Sequence, residues 1–396
     1  MTTLSRRTLL TGTVLALTST TAATAVTTTD PSPAIEWNQA LLRVVRTPGA
    51  QPPTVHATRS FAMTHAAMYH AALASPPSAL TAAVAQAGHD ILAELYPTAI
   101  QELDALLRTQ LATAHDIERG SRIGRAAARR MIVRRAGDGS TATPPALPPG
   151  TEPGQYRPTP PAFSPPVFTH WSAVTPFVLD RADQFRPAPY PDLAGARYAG
   201  ALNEAASIGR DTSTTRTDDQ TVQARFWAAP IWNYWNEIAQ TVLRATGLMT
   251  ATRVFARLNL TMADAVIAFY DAKYHHRIWR PVTAIRLADT DENPATTADP
   301  AWTSLVTTSP DPSYPGGHSV VGQAAATVLA ADTGQRHRLV VTSEALSGVV
   351  RTFHRLQHAA DEAGVARLFG GVHTRLDHEA GQRLGAQVAK AVLART

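Results

Sequence analysis

Apolar residues recur at three- and four-residue intervals along most of this 396-residue chain. Such spacing lines one face of an α-helix. Leu41, Leu42, Val44 and Val45 form one group, and Phe61, Met63, Ala66, Ala67, Met68 and Ala71 form another. Ala82 to Leu95, Ile100 to Ala112 and Ile123 to Ile132 continue the pattern, with Arg and Glu on the opposite face. Alternating β-branched runs are almost absent; Val340-Val341-Thr342 is the nearest to one, and it is short.

From Asp138 to about Leu193 the character changes. Prolines 144, 145, 148, 149, 153, 158, 160, 161, 165 and 166 are interleaved with Tyr156, Phe163, Phe168 and Trp171. Proline lacks the N–H that helices need, and free aromatic rings favour burial. The stretch is therefore expected to be an ordered strap across the helices rather than a flexible linker. Helical patterning resumes near Tyr198 and continues, with breaks, to Leu393, with Phe226 and Trp227 in one helix and Trp232 and Trp235 in the next. The expected fold is all-α: one large domain over residues 26–396, made of two bundle-like halves. N-terminal helices would span 33–137, the strap 138–195, and a C-terminal half carrying the chemistry 196–396.

Composition narrows the chemistry. The chain has no cysteine, which removes disulfides, thiolate metal sites and cysteine nucleophiles. Any metal must be held by His and carboxylates. The formal net charge is only +5, and no Lys/Arg run is interleaved with aromatics, which argues against a nucleic-acid partner. Ser5-Arg6-Arg7-Thr8-Leu9-Leu10 is a twin-arginine pattern, followed by a short apolar stretch and by Ala23-Thr24-Ala25, an A-x-A cleavage site. Residues 1–25 are thus expected to be an export signal, and the mature protein soluble and secreted. The apolar stretch falls short of the roughly 20 residues that span a bilayer, and no later segment reaches them without charges.

Three segments between residues 270 and 380 carry candidate chemistry. The first is Lys273-Tyr274-His275-His276-Arg277-Ile278-Trp279-Arg280-Pro281. Seven residues return to nearly the same helical face after two turns, so Lys273 and Arg280 could converge on one anion; two solvated cations are the plain alternative. The second is Pro312-Ser313-Tyr314-Pro315-Gly316-Gly317-His318-Ser319, ahead of the helical run Val320 to Ala331. Its glycines allow close backbone approach, the helix N-terminus supplies unpaired N–H donors, and His318 stands at the rim as an acid–base group. An ordinary turn with Ser319 as helix cap fits equally. The third is Arg367-Leu368-Phe369-Gly370-Gly371-Val372-His373-Thr374-Arg375-Leu376-Asp377. Here Gly370-Gly371 can end one helix, and the next can begin near His373 or Thr374. His373 there is biased toward the neutral imidazole, with Asp377 one turn on to fix its tautomer. A purely structural His–Asp pair is the alternative.

Taken in order, Lys-(six)-Arg-Pro, Pro-Gly-Gly-His and Arg-(five)-His resemble the signature of the vanadium-dependent haloperoxidases and the related type 2 phosphatidic acid phosphatases. The strap from Gly154 to Pro161, Trp279 to Arg286 and Gly370 to Gly381 also read like bacterial members, so the resemblance covers most of the mature chain. It implies that Lys273, Arg280 and Arg367 neutralise a bound vanadate, with phosphate as competing occupant. Gly316 and Gly317 would bring backbone donors to the same oxygens. His373 would be the single ligand to vanadium and His318 the acid–base residue; Lys273 would polarise bound peroxide. The implied activity is oxidation of halide by hydrogen peroxide, giving hypohalous acid or a halogenated small organic acceptor. Two alternatives use the same pocket: a soluble acid phosphatase with a phosphohistidine at His373, and a non-catalytic oxyanion-binding protein.

The chain departs from the family pattern where Gly316 and Ala366 stand in place of serines. Asp311 occupies a place where relatives often carry an apolar residue, which sets chloride oxidation in doubt. Three other histidine pairs stand outside the signature. His354 and His358, with Glu362, have the spacing of a divalent-metal site on one helix. His65 and His70 read as packing residues, and His275 and His276 as either pocket-entrance or surface residues.

Overall fold

A computed structural model describes residues 30–49 and 55–396, so the twin-arginine and Ala-Thr-Ala segments lie outside the described residues. The apolar periodicity becomes α1 (Ser32–Arg46), α2 (His56–Leu73), α3 (Leu80–Leu95), α4 (Ile100–Leu111) and α5 (Ile117–Arg135) in the N-terminal part. After the strap come α6 (Ala196–Ile208), α7 (Asp218–Phe226), α8 (Ile231–Leu243), α9 (Leu248–His276), α10 (Pro281–Arg286) and α11 (Gly317–Thr333). A hairpin of β1 (Arg336–Thr342) and β2 (Val350–Arg355) precedes α12 (Leu356–Phe369) and α13 (Arg375–Leu393).

The 29-residue α9 organises the packing. Val254, Phe255, Leu258, Met262, Val266 and Phe269 are buried around it, because α2, α11 and α13 cover it on different sides. Removing these side chains from water supplies the main favourable term, roughly 1.5–3 kcal/mol for each large one. The helical expectation holds, and among the described residues no helix is long and apolar enough to cross a membrane.

The proline-rich segment is an ordered strap, as its aromatics implied. Asp264 of α9 receives the backbone N–H groups of Phe177, Val178 and Leu179 at 2.6, 2.8 and 2.8 Å. Burial pushes this carboxyl up to about 6, against the three hydrogen bonds that favour its ionised form. Trp279 N–H donates to the Gly154 carbonyl, Tyr156 N–H to Arg277 and Val167 N–H to Pro310. These bonds lay the strap over the C-terminal end of α9.

The hairpin corrects one expectation. Val340-Val341-Thr342 belongs to an antiparallel pair whose inward residues are Leu339, Val341 and Phe353. His354 lies in β2 while His358 lies in α12, so the two do not share a helix. Glu362 instead accepts hydrogen bonds from Trp227 and Arg351. Among the described residues no group of His and carboxylates is arranged to hold a divalent metal.

Candidate active site

Local chain geometry brings the three segments to one place. Lys273 lies in the last turn of α9, which Arg277 terminates in the left-handed conformation (φ 49°). Arg280 is then the N-cap of α10, with Pro281 at its first position. Lys273 and Arg280 therefore do not share a helical face as their spacing suggested; a turn reverses the chain between them. His318 stands in the first turn of α11, whose N-cap is Gly316 rather than Ser319. Gly381 of α13 allows the Gly316–Gly317 loop to pack close, since a Cβ there would lie 2.7 Å from the Gly316 carbonyl oxygen. Arg367 sits in the last turn of α12, Gly371 takes φ 75°, and α13 begins after Thr374. Thr374 and Asp377 form a reciprocal capping box, so Asp377 is fixed by the helix start itself.

Each cation has a different set of partners. Arg280 donates from Nε to the Asp311 carbonyl (2.7 Å), from Nη1 to the Val372 carbonyl (2.8 Å) and from Nη2 to the Asp311 carboxylate. Lys273 Nζ donates to the Pro312 and Ser313 carbonyls and lies 3.7 Å from Asp311 Oδ2. Burial lowers its pKa to about 8, with Asp311 opposing. Among the described residues Arg367 makes one long bond, Nη1 to the Trp227 carbonyl at 3.4 Å, and its buried Nε has no partner. Burial lowers it to about 10, still charged at neutral pH. Burial pushes Asp311 up, but Lys273 and Arg280 outweigh this and hold it below the usual carboxylate range.

The two histidines are held differently. His373 Nδ1 lies 3.3 Å from Asp377 Oδ2, and Nε2 lies 3.3 Å from Arg280 Nη1. Asp377 Oδ2 also receives Ser313 Oγ–H and Thr374 N–H, both at 2.7 Å. This network assigns the imidazole proton to Nδ1 and leaves the Nε2 lone pair toward the cations. Burial and then Arg280 lower the His373 pKa to about 3, so the ring is neutral at physiological pH. His318 Nε2 lies 3.2 Å from the Ala229 carbonyl, and the Trp227 backbone supplies a second hydrogen-bond partner to the same ring. Burial and then Arg367 push its pKa well below the ordinary value.

Lys273, Arg280, His318, Arg367 and His373 line one cavity of about 400 Å³ together with Gly317 and Asp311. Gly316 and Asp377 support it from behind. Part of the wall is apolar, formed by Phe168, Ile231, Trp232, Phe269 and the ring of Tyr270. That wall, the Ser313 hydroxyl and the carbonyls of Trp227 and Ala229 were not identified as site components from sequence; their only signal was the apolar pattern in which most of them sit. His275 and His276 do not line the cavity; His276 bonds the Pro187 carbonyl and meets Tyr314 edge-on. Of the pair expected to pack, His65 is fully buried and hydrogen-bonded to Asn38, whereas His70 is exposed.

Such a donor set suits a tetrahedral oxyanion. Buried guanidinium and ammonium groups are costly unless matched by charge, and the unpartnered Arg367 Nε is a donor still open to a guest. A neutral imidazole with its lone pair turned inward suits a single metal–nitrogen bond. The residues present therefore fit vanadate, and phosphate equally in charge and shape.

Residues 253–396 match the family described as the VCPO second helical-bundle domain. The chain is 27% identical to vanadium chloroperoxidase of Curvularia inaequalis over 39% of its own length, and the match spans 28% of that protein. Among solved structures it resembles the first bacterial vanadium-dependent iodoperoxidase, with a TM-score of 0.78, 24% identity and coverage of 93% and 97% of the two chains. A holo-type bacterial vanadium-dependent chloroperoxidase follows at a TM-score of 0.71 and 15% identity, over 88% and 94%. The structural likenesses establish the fold.

Proposed function

We propose that this chain, which belongs to the vanadium haloperoxidase superfamily, uses the cationic cavity to hold vanadate and to oxidise halide with hydrogen peroxide. The observation that carries the reading is the convergence of Lys273, Arg280, Arg367, His318 and His373 on a single cavity. When bound, vanadate supplies a Lewis acid that activates peroxide toward halide without changing oxidation state.

The protein's own contribution is binding, orientation and proton handling. Lys273, Arg280 and Arg367 would balance the oxyanion charge, and the backbone N–H of Gly317, in the first turn of α11, would be a further donor. His373 Nε2 is the atom free to ligate, because Asp377 holds the proton on Nδ1. His318 would accept a proton from incoming peroxide, its ring held by Ala229. Lys273, buried yet charged, would polarise the oxygen under attack. The aromatic wall excludes water and offers a surface for a small organic acceptor.

Orthovanadate titration with parallel assays tests this. Metal-free protein should lack peroxidase activity, gain bromide- or iodide-dependent halogenation of a phenolic dye with vanadate, and lose it to competing phosphate and in His373→Ala. Absence of vanadate-dependent halogenation, with hydrolysis of an aryl phosphate instead, would overturn the peroxidase reading. We further propose export by the twin-arginine route, on the strength of Ser5 to Leu10 and Ala23 to Ala25. Arg6→Lys with Arg7→Lys should retain the protein inside the cell.

A further inference from the structure

We propose that the outward face of α5 is an electrostatic docking surface for an anionic lipid membrane. The inference concerns residues outside the cavity and does not depend on what the cavity holds.

Six arginines of this helix, Arg119, Arg122, Arg125, Arg129, Arg130 and Arg134, are exposed. Arg122, Arg125 and Arg129 recur at three- and four-residue intervals and so form one stripe, with Arg119, Arg130 and Arg134 along its edge. Val133, 67% exposed, continues the stripe one turn beyond Arg129. The one acid of the helix, Glu118, pairs with Arg122 at 2.6 Å, and the other five arginines form no ion pair among the described residues. Exposed arginines elsewhere, such as Arg43, Arg197 and Arg395, meet Glu102, Glu379 and Asp180. Six arginines and one glutamate give this face a formal charge of +5, the net charge of the whole chain. All other ionised side chains therefore sum to zero, and the positive charge is concentrated on one helix.

Such a face strains its own helix. Like charges one turn apart, as in Arg125–Arg129 and Arg130–Arg134, are destabilising. Packing on the other side outweighs this: α2 and α3 cover it, and Gly124 lets α5 approach so closely that a Cβ there would lie 2.5 Å from the Ala83 carbonyl oxygen. The arginines are thus held outward on a rigid support, and the stripe from Arg122 to Arg129 spans roughly 10 Å. Salt at 0.1 M screens charges over about 10 Å, so the stripe acts on a facing surface as a unit. Anionic lipid headgroups attract arginines at such a surface and relieve their mutual repulsion. Lipid suits the face better than nucleic acid, because α5 has no aromatic side chain on which a base could stack. Val133 instead offers an apolar contact among the cations.

The test is sedimentation of the full-length protein with vesicles of phosphatidylcholine alone or mixed with phosphatidylglycerol, at low and high salt. The protein should bind the mixed vesicles at low salt, be released at high salt, and leave pure phosphatidylcholine unbound. Equal binding to both vesicles, or none to either, overturns the proposal. Arg125→Glu with Arg129→Glu should weaken binding at least about 10-fold. Arg336→Glu with Arg338→Glu makes the same change of net charge on exposed arginines of β1 and should leave binding within about twofold. An equal loss in both variants would show that net charge alone acts, and would overturn the assignment to α5. Should the first variant not fold, Arg125→Gln with Arg129→Gln decides in its place, with at least about a threefold loss expected and no loss overturning the proposal. A short DNA duplex is the competitor: displacement from the vesicles at equal phosphate concentration would make nucleic acid the partner and sink the lipid proposal.

Discussion

Replacing Asp377 by Asn removes a charge and leaves the shape almost unchanged. Its Oδ2 receives Thr374 N–H and Ser313 Oγ–H at 2.7 Å each and lies 3.3 Å from His373 Nδ1. Hydrogen bonds to charged groups contribute about 1.5–3 kcal/mol and neutral ones about 0.5–1.5, so weakening the two short bonds should cost about 2 kcal/mol of stability. The effect on His373 is separate. Without the carboxylate the ring loses basicity, and an amide NH₂ can shift the proton to Nε2, the atom left free to ligate. Loss of such a partner costs about 10- to 100-fold in metal affinity. Denaturant unfolding of metal-free protein should show the first effect and orthovanadate titration the second. Burial pushes the Asp377 carboxyl up, but His373, Thr374 and Ser313 hold it below the usual carboxylate range. Its stabilisation is thus full above the unfolded-state value of about 3.9 and is lost as pH falls below it, where the two proteins should converge. A variant that loses stability yet keeps vanadate affinity within twofold would show that Asp377 is only a helix cap.

Other substitutions probe separate links. Gly316 is the N-cap of α11 with φ −71°, and a Cβ there would meet the Asp377 carbonyl at 3.4 Å, so Gly316→Ser fits and should raise stability by a few tenths of a kcal/mol as a helix cap, read from denaturant unfolding. Burial lowers His65 to about 3, well below its unfolded value of about 6.5, so unfolding takes up a proton between these limits and stability is lost as the pH is lowered across that window. His65→Gln should flatten the fall by about 1.4 kcal/mol per pH unit between pH 4 and 6, read from denaturation curves. Asp264→Ala frees three strap N–H groups and should destabilise by about 3 kcal/mol or more, with proteolysis within residues 138–195, whereas Asp264→Asn should cost far less. Asp311 puts a negative charge on the cavity wall that disfavours a second small anion, so vanadate-loaded protein should favour iodide, the most weakly hydrated of the three, over bromide and oxidise chloride least. Equal chloride and iodide rates in a halide competition would refute that charge argument.

What the sequence determined by itself is short-range. Apolar spacing set the helices, prolines mixed with aromatics marked the strap, and Gly370-Gly371 with Thr374 and Asp377 marked the helix break that presents His373. These signals rest on propensity, periodicity and capping within a few turns. The tertiary structure decided what meets across longer distances. It turned the chain at Arg277 so that Lys273 and Arg280 converge without sharing a helical face, and it paired the His354 segment as a strand. It also placed Asp311 between two of the cations and left Arg367, among the described residues, without a salt bridge. Residue order names the charges, but their balance depends on which of them are buried side by side, and only the packed chain fixes that.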